Sequence, residues 1–259
     1  LTTLGGVQRV VTKVINYFQE TYMDEVSVIM PFIDSNDRCF EISKKIELID
    51  LSNSFVNRQR PLSRYIKAAN RRIAIMDNKY LVRELDKIYY SEEYLTSFVE
   101  YLNEESFDWV IGVGDIYALL VGKLADRLNA KTAGWMHSTF KGYYETKGHA
   151  SYGSKKLNAI YLKRLNKIFV LNTNDKKRFD SEFQVQCEIL YNPIEVSVLP
   201  QSNRKNNQLL FVGRLNTHVK GLDYLIEIME RVISIIPDCS LVIVGKGAGT
   251  AYLEKKIAE

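Results

Sequence analysis

Two cationic residues follow a short apolar segment near the C-terminal end of the sequence. The segment Phe211–Leu215 predicts a strand that ends at Gly213, so that Arg214 projects from its carboxyl end, and Lys220 stands just before the next helical pattern. In open α/β sheets, ligands bind beyond the carboxyl ends of the strands. A guanidinium, an ammonium and a helix N-terminus suit a diphosphate. The same two cations could also be solvated surface residues, which is the usual environment of Arg and Lys.

Glycines precede two predicted helices. Gly5 and Gly6 come before apolar residues at helical spacing, and Gly245 and Gly247 follow an apolar strand pattern. Small residues let the backbone approach an anion at a helix N-terminus, but a Gly-Gly pair also serves as a tight connection. Thr250 stands where a G-x-G-x-x-G fingerprint needs its third glycine, which weakens a dinucleotide prediction.

A lone histidine follows another predicted strand. His137 comes after Thr132–Met136 and before Ser138–Gly153, a polar segment rich in Gly and Tyr that we predict to be a loop over a site. Its place at a strand's carboxyl end favours a role in a cleft, although a single histidine is often structural. No metal-binding spacing links it to His149 or His218.

The composition sets the class of protein. The 259 residues are 46% hydrophobic and 25% charged, which predicts a globular protein of one large domain or two. A net charge of +4 is too small to indicate a dedicated nucleic-acid-binding protein. Three widely separated cysteines exclude a disulfide framework and indicate a reducing, cytoplasmic environment. No apolar run is long enough to predict a membrane span or a signal peptide.

Short β-branched runs alternate with longer amphipathic segments, which predicts parallel sheets with crossover helices. The composition changes at Asn192, and the chain stays polar and aperiodic to Asn207. We therefore predict an N-terminal domain of residues 1–195, a linker of residues 196–206 and a second domain of residues 207–259. Two strands are too few for a doubly wound domain, so we expect this sequence to be part of a longer chain.

A basic stripe runs along one predicted helix. Its members are spaced at i, i+4, i+7 and i+11: Arg60, Arg64, Lys67 and Arg71. An apolar stripe lies beside it: Leu62, Ile66, Ala69 and Ile73. One interpretation is a helix that packs by its apolar side and solvates its charged face. The other is electrostatic attraction to an anionic membrane surface.

Taken in order, the motifs carry a family resemblance. The segments GGVQRV, IGVGDIYALL, GWMHSTF, YNPIEV, LLFVGRL, KGLDYLIEIM and LVIVGKG follow one another along nearly the whole chain. This order resembles the retaining nucleotide-sugar glycosyltransferases of the GT-B fold, family four type. The resemblance implies two Rossmann-like, doubly wound parallel-sheet domains, of which the second is incomplete here. The N-terminal domain would hold the acceptor, and the C-terminal domain the nucleotide-sugar.

The resemblance also implies residue roles. His137 would contact the transferred sugar, while Arg214 and Lys220 would bind the diphosphate and stabilise it as a leaving group without a metal or other cofactor. Four glycines would line the donor phosphate and sugar: Gly5, Gly6, Gly245 and Gly247. Tyr143, Tyr144 and Tyr152 could stack on acceptor sugars, or could pack structurally.

The implied reaction moves a hexose from a nucleoside diphosphate sugar, with UDP expected, to a hydroxyl of a glycan, a lipid-linked acceptor or an envelope polysaccharide. Such a bacterial enzyme would be cytoplasmic or lie at the inner face of the membrane. The family's glutamate pair, eight positions apart after the glycine turn, has no counterpart, since Glu254 and Glu259 are five apart. We therefore expect residues 1–259 to bind donor poorly and to be inactive. Two alternatives stay open: a nucleotide-sugar epimerase, and a non-catalytic, membrane-docked binding module.

Overall fold

The computed structural model describes residues 5–23, 25–31, 40–51, 62–194 and 207–258. The chain divides into two compact units, an N-terminal unit of residues 1–194 and a C-terminal unit of residues 195–259. Each unit has its own parallel strands and its own apolar core.

The N-terminal unit alternates helices with strands. Its helices are α1 (Gly6–Thr21), α2 (Ser63–Ile73), α3 (Val82–Lys87), α4 (Glu92–Glu104), α5 (Asp115–Leu124), α6 (Phe140–Tyr144), α7 (Lys155–Leu162) and α8 (Thr173–Phe183). Its strands are β1 (Ser27–Met30), β2 (Glu47–Asp50), β3 (Trp109–Val113), β4 (Lys131–Trp135), β5 (Lys167–Val170) and β6 (Glu188–Ile189). A single 3-10 turn, Ala125–Arg127, extends α5.

Four of these strands form one parallel sheet in the order β3-β4-β5-β6. Trp109 pairs with Lys131, and Ala133 pairs with Lys167, so the carboxyl ends of neighbouring strands lie at the same edge. Strands β1 and β2 form a separate parallel pair, in which Ser27 lies opposite Glu47. The arrangement confirms the predicted α/β class with parallel sheets and crossover helices.

Helices bury the sheet from both sides. Helix α5 is buried along most of its length and packs on β3 and β4. One cluster joins the strands to the aromatic side chains of α6 and α8, and includes Met136, Phe140, Tyr144, Phe179 and Phe183. A second cluster joins α4 to α5 and to the end of β2 through Leu51, Tyr94, Phe98, Leu102 and Leu120. Burial of this apolar surface is the main favourable contribution to folding of the unit.

The C-terminal unit has one two-stranded parallel sheet among its described residues. Its elements are β7 (Gln208–Val212), α9 (Thr217–Lys220), α10 (Leu222–Ile235), β8 (Ser240–Val244) and α11 (Thr250–Ala258). Leu215, Leu222, Ile226 and Leu253 form its core with Phe211 and Ile243. On the other face of the sheet, Leu210 and Val212 stay exposed. The apolar pattern of this segment predicts a buried strand, and this is wrong, because Leu209 is exposed as well and Phe211 is only half-buried.

Two other predictions differ from the structure. The segment Ser138–Gly153 is not an open loop, because it contains α6, and Tyr143 and Tyr144 of that helix are buried. The predicted helix at residues 220–236 is present as α10, with the narrower bounds Leu222–Ile235. Sequence periodicity did not reveal α3 and α9, which are only six and four residues long.

The two loops at the carboxyl ends of β7 and β8 hold each other through their backbones. Leu215 donates its N–H to the Lys246 carbonyl (2.9 Å) and accepts from Gly249 N–H (2.8 Å). A Cβ on Gly247 would lie 2.7 Å from the carbonyl carbon of Leu215, where real side chains do not fit. Gly247 is therefore required by the packing of these loops.

We expect Gly247→Ala to lower the free energy of unfolding by about 1–3 kcal/mol, because a backbone neighbour must move to admit the methyl group. Urea unfolding of the whole chain measures this. Lys246→Ala is the matched control, since that side chain is exposed and its carbonyl bond is kept. Equal stability of the two variants would contradict the close approach.

Candidate functional site

The residues that follow β3, β4 and β5 lie along one edge of the N-terminal unit's sheet. Gly114 and Asp115 follow β3 directly. Met136 separates His137 from the end of β4, and Asn172 begins the turn into α8 after β5. Gly114 adopts a φ of +83°, a conformation that favours glycine, and this turns the chain sharply from β3 into α5. The edge brings together polar groups from three strands, as expected of a ligand-binding edge in an α/β sheet.

His137 lies half-buried at this edge. Its ring is 4.3 Å from the ring of Trp135, measured between centroids. Its Nε2 atom is buried and has no hydrogen-bond partner among the described residues. Burial lowers the pKa of His137 from 6.5 to about 4, because the charged imidazolium is poorly solvated there. The imidazole is therefore neutral at physiological pH and can exchange a hydrogen bond with a neutral hydroxyl.

Tyr143 of α6 fixes the backbone beside His137. Its phenol oxygen accepts the His137 N–H at 2.9 Å. The neighbouring Tyr144 is equally buried, but its hydroxyl has no hydrogen-bond partner in the described part of the chain. Neither ring is available to stack on a sugar, so the sequence's suggestion for these two tyrosines is wrong. Tyr152 remains half-buried.

A buried carboxylate lies at the same edge. Asp115 is 8% exposed, and its Oδ2 accepts a short hydrogen bond from the Ser151 hydroxyl. The His149 Nδ1 lies 3.6 Å from the same oxygen, and the His149 ring contacts Tyr143 edge-on at 5.4 Å between centroids. Sequence analysis did not select Asp115 or Ser151. The signal for Asp115 was its place at the carboxyl end of a strand, which it shares with His137.

A second carboxylate ties α6 to α8. The Oδ1 of Asp175 accepts the Phe140 N–H at 2.8 Å, and its Oδ2 accepts from the Asn172 amide at 2.7 Å. The Asn172 side chain caps α8 in return, by accepting the Asp175 N–H at 2.9 Å. These bonds hold the segment after His137 against the end of β5.

In the C-terminal unit, both predicted cations lie on the connection that leaves the carboxyl end of β7. Arg214 lies between Gly213, which donates its N–H to the Val244 carbonyl at 3.0 Å, and Leu215. Lys220 is the last residue of α9, and Gly221 separates it from the first turn of α10. Both side chains are exposed.

The four glycines predicted to line a donor fall into two classes. Gly245 and Gly247 pack against the backbones of Gly213 and Leu215, so the structure gives them a packing role. Gly5 has an extended backbone and Gly6 begins α1, and a Cβ on Gly6 would meet nothing within 4 Å. Packing therefore does not explain why residue 6 is a glycine.

The basic stripe is placed differently from its prediction. Arg60 lies outside the described residues, and Arg64 is exposed on α2. Lys67 and Arg71 are half-buried, and the Lys67 ammonium lies over the Tyr89 ring at 5.6 Å. Burial, followed by repulsion from Arg71, lowers the pKa of Lys67. One interpretation required the apolar stripe to pack against the protein. It does not pack against the described residues, because Leu62 and Ile73 are 66% and 64% exposed.

Within the described ranges, no cluster of His, Cys, Asp or Glu side chains could hold a metal ion. The same ranges contain no helix that is both long and apolar enough to cross a bilayer. Independence from metal stays a prediction. The described sheet edges present the neutral imidazole of His137 in the N-terminal unit and the exposed cations Arg214 and Lys220 in the C-terminal unit.

Comparison with known proteins identifies the C-terminal segment. Residues 198–259 match the family model described as glycosyl transferases group 1. This confirms the family resemblance for that segment. A search of curated proteins finds no match.

Comparison with solved structures identifies the fold. The lipopolysaccharide outer core galactosyltransferase WaaB is similar with a TM-score of 0.63 at 18% identity, over 100% of this chain and 62% of that one. The sucrose-phosphate synthase of Thermosynechococcus elongatus is similar with a TM-score of 0.57 at 15% identity, over 93% of this chain and 57% of that one. The predicted GT-B fold is confirmed. The chain spans less than two thirds of the length of these neighbours.

We expect Tyr143→Phe to destabilise the N-terminal unit by about 1–3 kcal/mol, because the backbone N–H of His137 loses its acceptor. Tyr144→Phe is the matched control, which should change stability by less than about 0.5 kcal/mol, since it removes a hydroxyl without a partner. Thermal and urea unfolding measure both variants. Equal losses would show that Tyr143 does not hold the His137 backbone.

The low pKa of His137 predicts a pH-dependent stability. The unfolded chain binds a proton near pH 6.5 and the folded chain only near 4, so this contribution is complete above 6.5 and is lost as the pH falls toward 4. Between about pH 7 and about pH 4.5, His137→Gln should lose roughly 1 kcal/mol less stability than the unmodified chain, after allowance for solvent screening. Parallel losses in urea unfolding would contradict the lowered pKa.

Proposed function

From the GT-B fold of this chain and the glycosyl transferases group 1 segment at residues 198–259, we propose that the protein is a retaining glycosyltransferase. It moves a hexose from a nucleoside diphosphate sugar, with UDP as the expected nucleotide, to a hydroxyl. The observation that carries the proposal is the position of Arg214 and Lys220 in that segment, on the connection that leaves the carboxyl end of β7.

Arg214 and Lys220 bind the diphosphate in this proposal. A guanidinium can bond two phosphate oxygens at once, while an ammonium acts as a compact charge. Negative charge grows on the diphosphate as the bond to the sugar breaks, and fixed cations stabilise that charge most in the transition state. The backbone bonds between the β7 and β8 loops hold the base of Arg214 in place, so that little reorganisation is needed when the donor binds.

His137 contacts the transferred sugar in this proposal. Its buried Nε2 lacks a partner among the described residues, and its neutral ring can donate to or accept from a sugar hydroxyl. Tyr143 acts as a positioning residue, because it bonds the His137 backbone and does not itself face a ligand. Asp115 and Ser151 lie at the same edge and add a polar boundary.

Gly5 and Gly6 border the donor phosphate and sugar in this proposal. The space around Gly6 would admit a side chain, so packing does not explain the glycine. Close approach of a ligand would explain it, since the first N–H groups of a 16-residue helix favour an anion. Gly245 and Gly247 support the donor loop indirectly, through its backbone.

The proposed acceptor is a glycan, a lipid-linked sugar or an envelope polysaccharide, and the proposed place of action is the cytoplasmic side of a membrane. Support comes from two structural neighbours, a lipopolysaccharide outer core galactosyltransferase and a sucrose-phosphate synthase. An anionic membrane surface is the proposed further partner.

Calorimetric titration of the chain with inorganic pyrophosphate, at fixed ionic strength, tests the donor site without needing the whole nucleotide pocket. Arg214→Ala and Lys220→Ala should each weaken binding about tenfold, since each removes a charge-assisted contact. Arg231→Ala is the control, because it removes an exposed cation from the middle of α10. Equal affinity of all four proteins would contradict the proposal.

A further inference from the structure

Helix α2 packs against the N-terminal unit by its polar side. Its two buried residues are Ser63 and Asn70, at 1% and 2% exposure. The Asn70 amide donates to the Gly153 carbonyl at 2.6 Å, and its Oδ1 accepts the Met76 N–H at 2.9 Å. The bond to Gly153 joins α2 to a segment 83 residues away in sequence, and the two bonds together fix the rotation of the helix about its axis.

The apolar stripe of α2 therefore faces solvent. Leu62, Tyr65 and Ile73 are 66%, 60% and 64% exposed, whereas an ordinary surface helix buries such a stripe. Exposed apolar side chains continue after the helix, with Ile75 and Tyr80 at 61% and 76%. We call these residues, together with Ile66 and Leu81, the 62–83 surface. So many large apolar side chains exposed within one short segment favour an interaction site.

The charge of the same segment is positive. Its exposed cations are Arg64, Arg72, Lys79 and Arg83. Its single acidic residue, Asp77, is half-buried, and its Oδ1 accepts the Lys156 N–H at 2.7 Å. The surface thus presents apolar groups bordered by cations, with no exposed carboxylate between residues 62 and 83.

Two of the aromatic rings are already associated with cations. The Arg64 guanidinium lies 5.0 Å from the centre of the Tyr65 ring and donates to its hydroxyl at 3.1 Å. The Lys79 ammonium lies 4.9 Å from the centre of the Tyr80 ring. Tyrosine and long cationic side chains suit the boundary between lipid headgroups and acyl chains, where one end is apolar and the other polar.

We propose that the 62–83 surface inserts its apolar side chains into the headgroup region of an anionic lipid bilayer, while its exposed arginines and lysine contact the lipid phosphates. Charge complementarity favours a bilayer over a second copy of this chain, because two copies face to face would place like charges opposite each other. The face differs from the predicted basic stripe, since Lys67 and Arg71 are half-buried. The proposal rests on the proposed function in one respect, the anionic membrane surface named there as a partner, and it assigns the residues that contact that surface.

Vesicle co-sedimentation of the full chain tests the proposal. Vesicles contain phosphatidylcholine alone or mixed with phosphatidylglycerol, at low and at high salt. The unmodified chain should bind the mixed vesicles and keep measurable binding at high salt, because apolar insertion is not screened. Arg64→Gln with Arg72→Gln should weaken binding to mixed vesicles by about thirtyfold at low salt.

Leu62→Ser with Ile73→Ser should weaken binding at both salt concentrations, by about tenfold or more. Ile235→Ser is the matched control, since it removes an exposed apolar side chain, 79% exposed, from the C-terminal unit. The substituted side chains are exposed, so the fold should be kept, and circular dichroism and unfolding curves check this.

Three results would overturn the proposal. One is failure of the unmodified chain to bind either type of vesicle. Another is unchanged binding of the Leu62/Ile73 variant, which would leave electrostatic attraction alone. The last is a dimer, seen by light scattering of the unmodified chain, that the same variant abolishes, because a second copy would then cover the surface. None of these results bears on pyrophosphate binding.

Discussion

Parallel pairing of the strands is the constraint on which the candidate site depends. In-register bonds from β3 to β4 and from β4 to β5 place all three carboxyl ends at one edge. Residues distant in sequence, Asp115, His137 and Asn172, are thereby brought to that edge. In the C-terminal unit, β7 and β8 pair the same way, and their loops then bond to each other. The strand pairing itself sets the positions of these polar groups, so they are preorganised for a ligand.

Polar contacts within the core decide which groups remain available at these edges and surfaces. The Tyr143 hydroxyl accepts the hydrogen bond of the His137 backbone N–H. The Nε2 atom of the His137 imidazole itself has no partner among the described residues. The Asn70 side chain donates a hydrogen bond to the Gly153 carbonyl, and the resulting orientation of α2 turns its apolar stripe outward. In both cases a buried polar side chain forms the hydrogen bond that a backbone group needs, and this stabilises the fold. A neighbouring side chain then remains available to an external partner.

Much of the fold could be predicted from the sequence, because strands β3 and β4 and helices α4 and α10 follow clear periodicity. The positions of His137 and Arg214 after strands, and of Lys220 just before α10, could be predicted for the same reason. The rotation of α2 could not, since it depends on a bond to Gly153, far away in sequence. The burial of Tyr143 could not either, because a short helix within a Gly- and Tyr-rich segment has no periodic signal.

Mapping of backbone amide chemical shifts during addition of pyrophosphate tests the central claim, that ligand binds at the carboxyl edge of the C-terminal unit's sheet. Amides at this edge should shift, above all those of Gly213, Leu215 and Gly221. Amides at the opposite edge, such as Gln208 and Ser240, should not. Shifts confined to the opposite edge, or no shifts at all, would contradict the account.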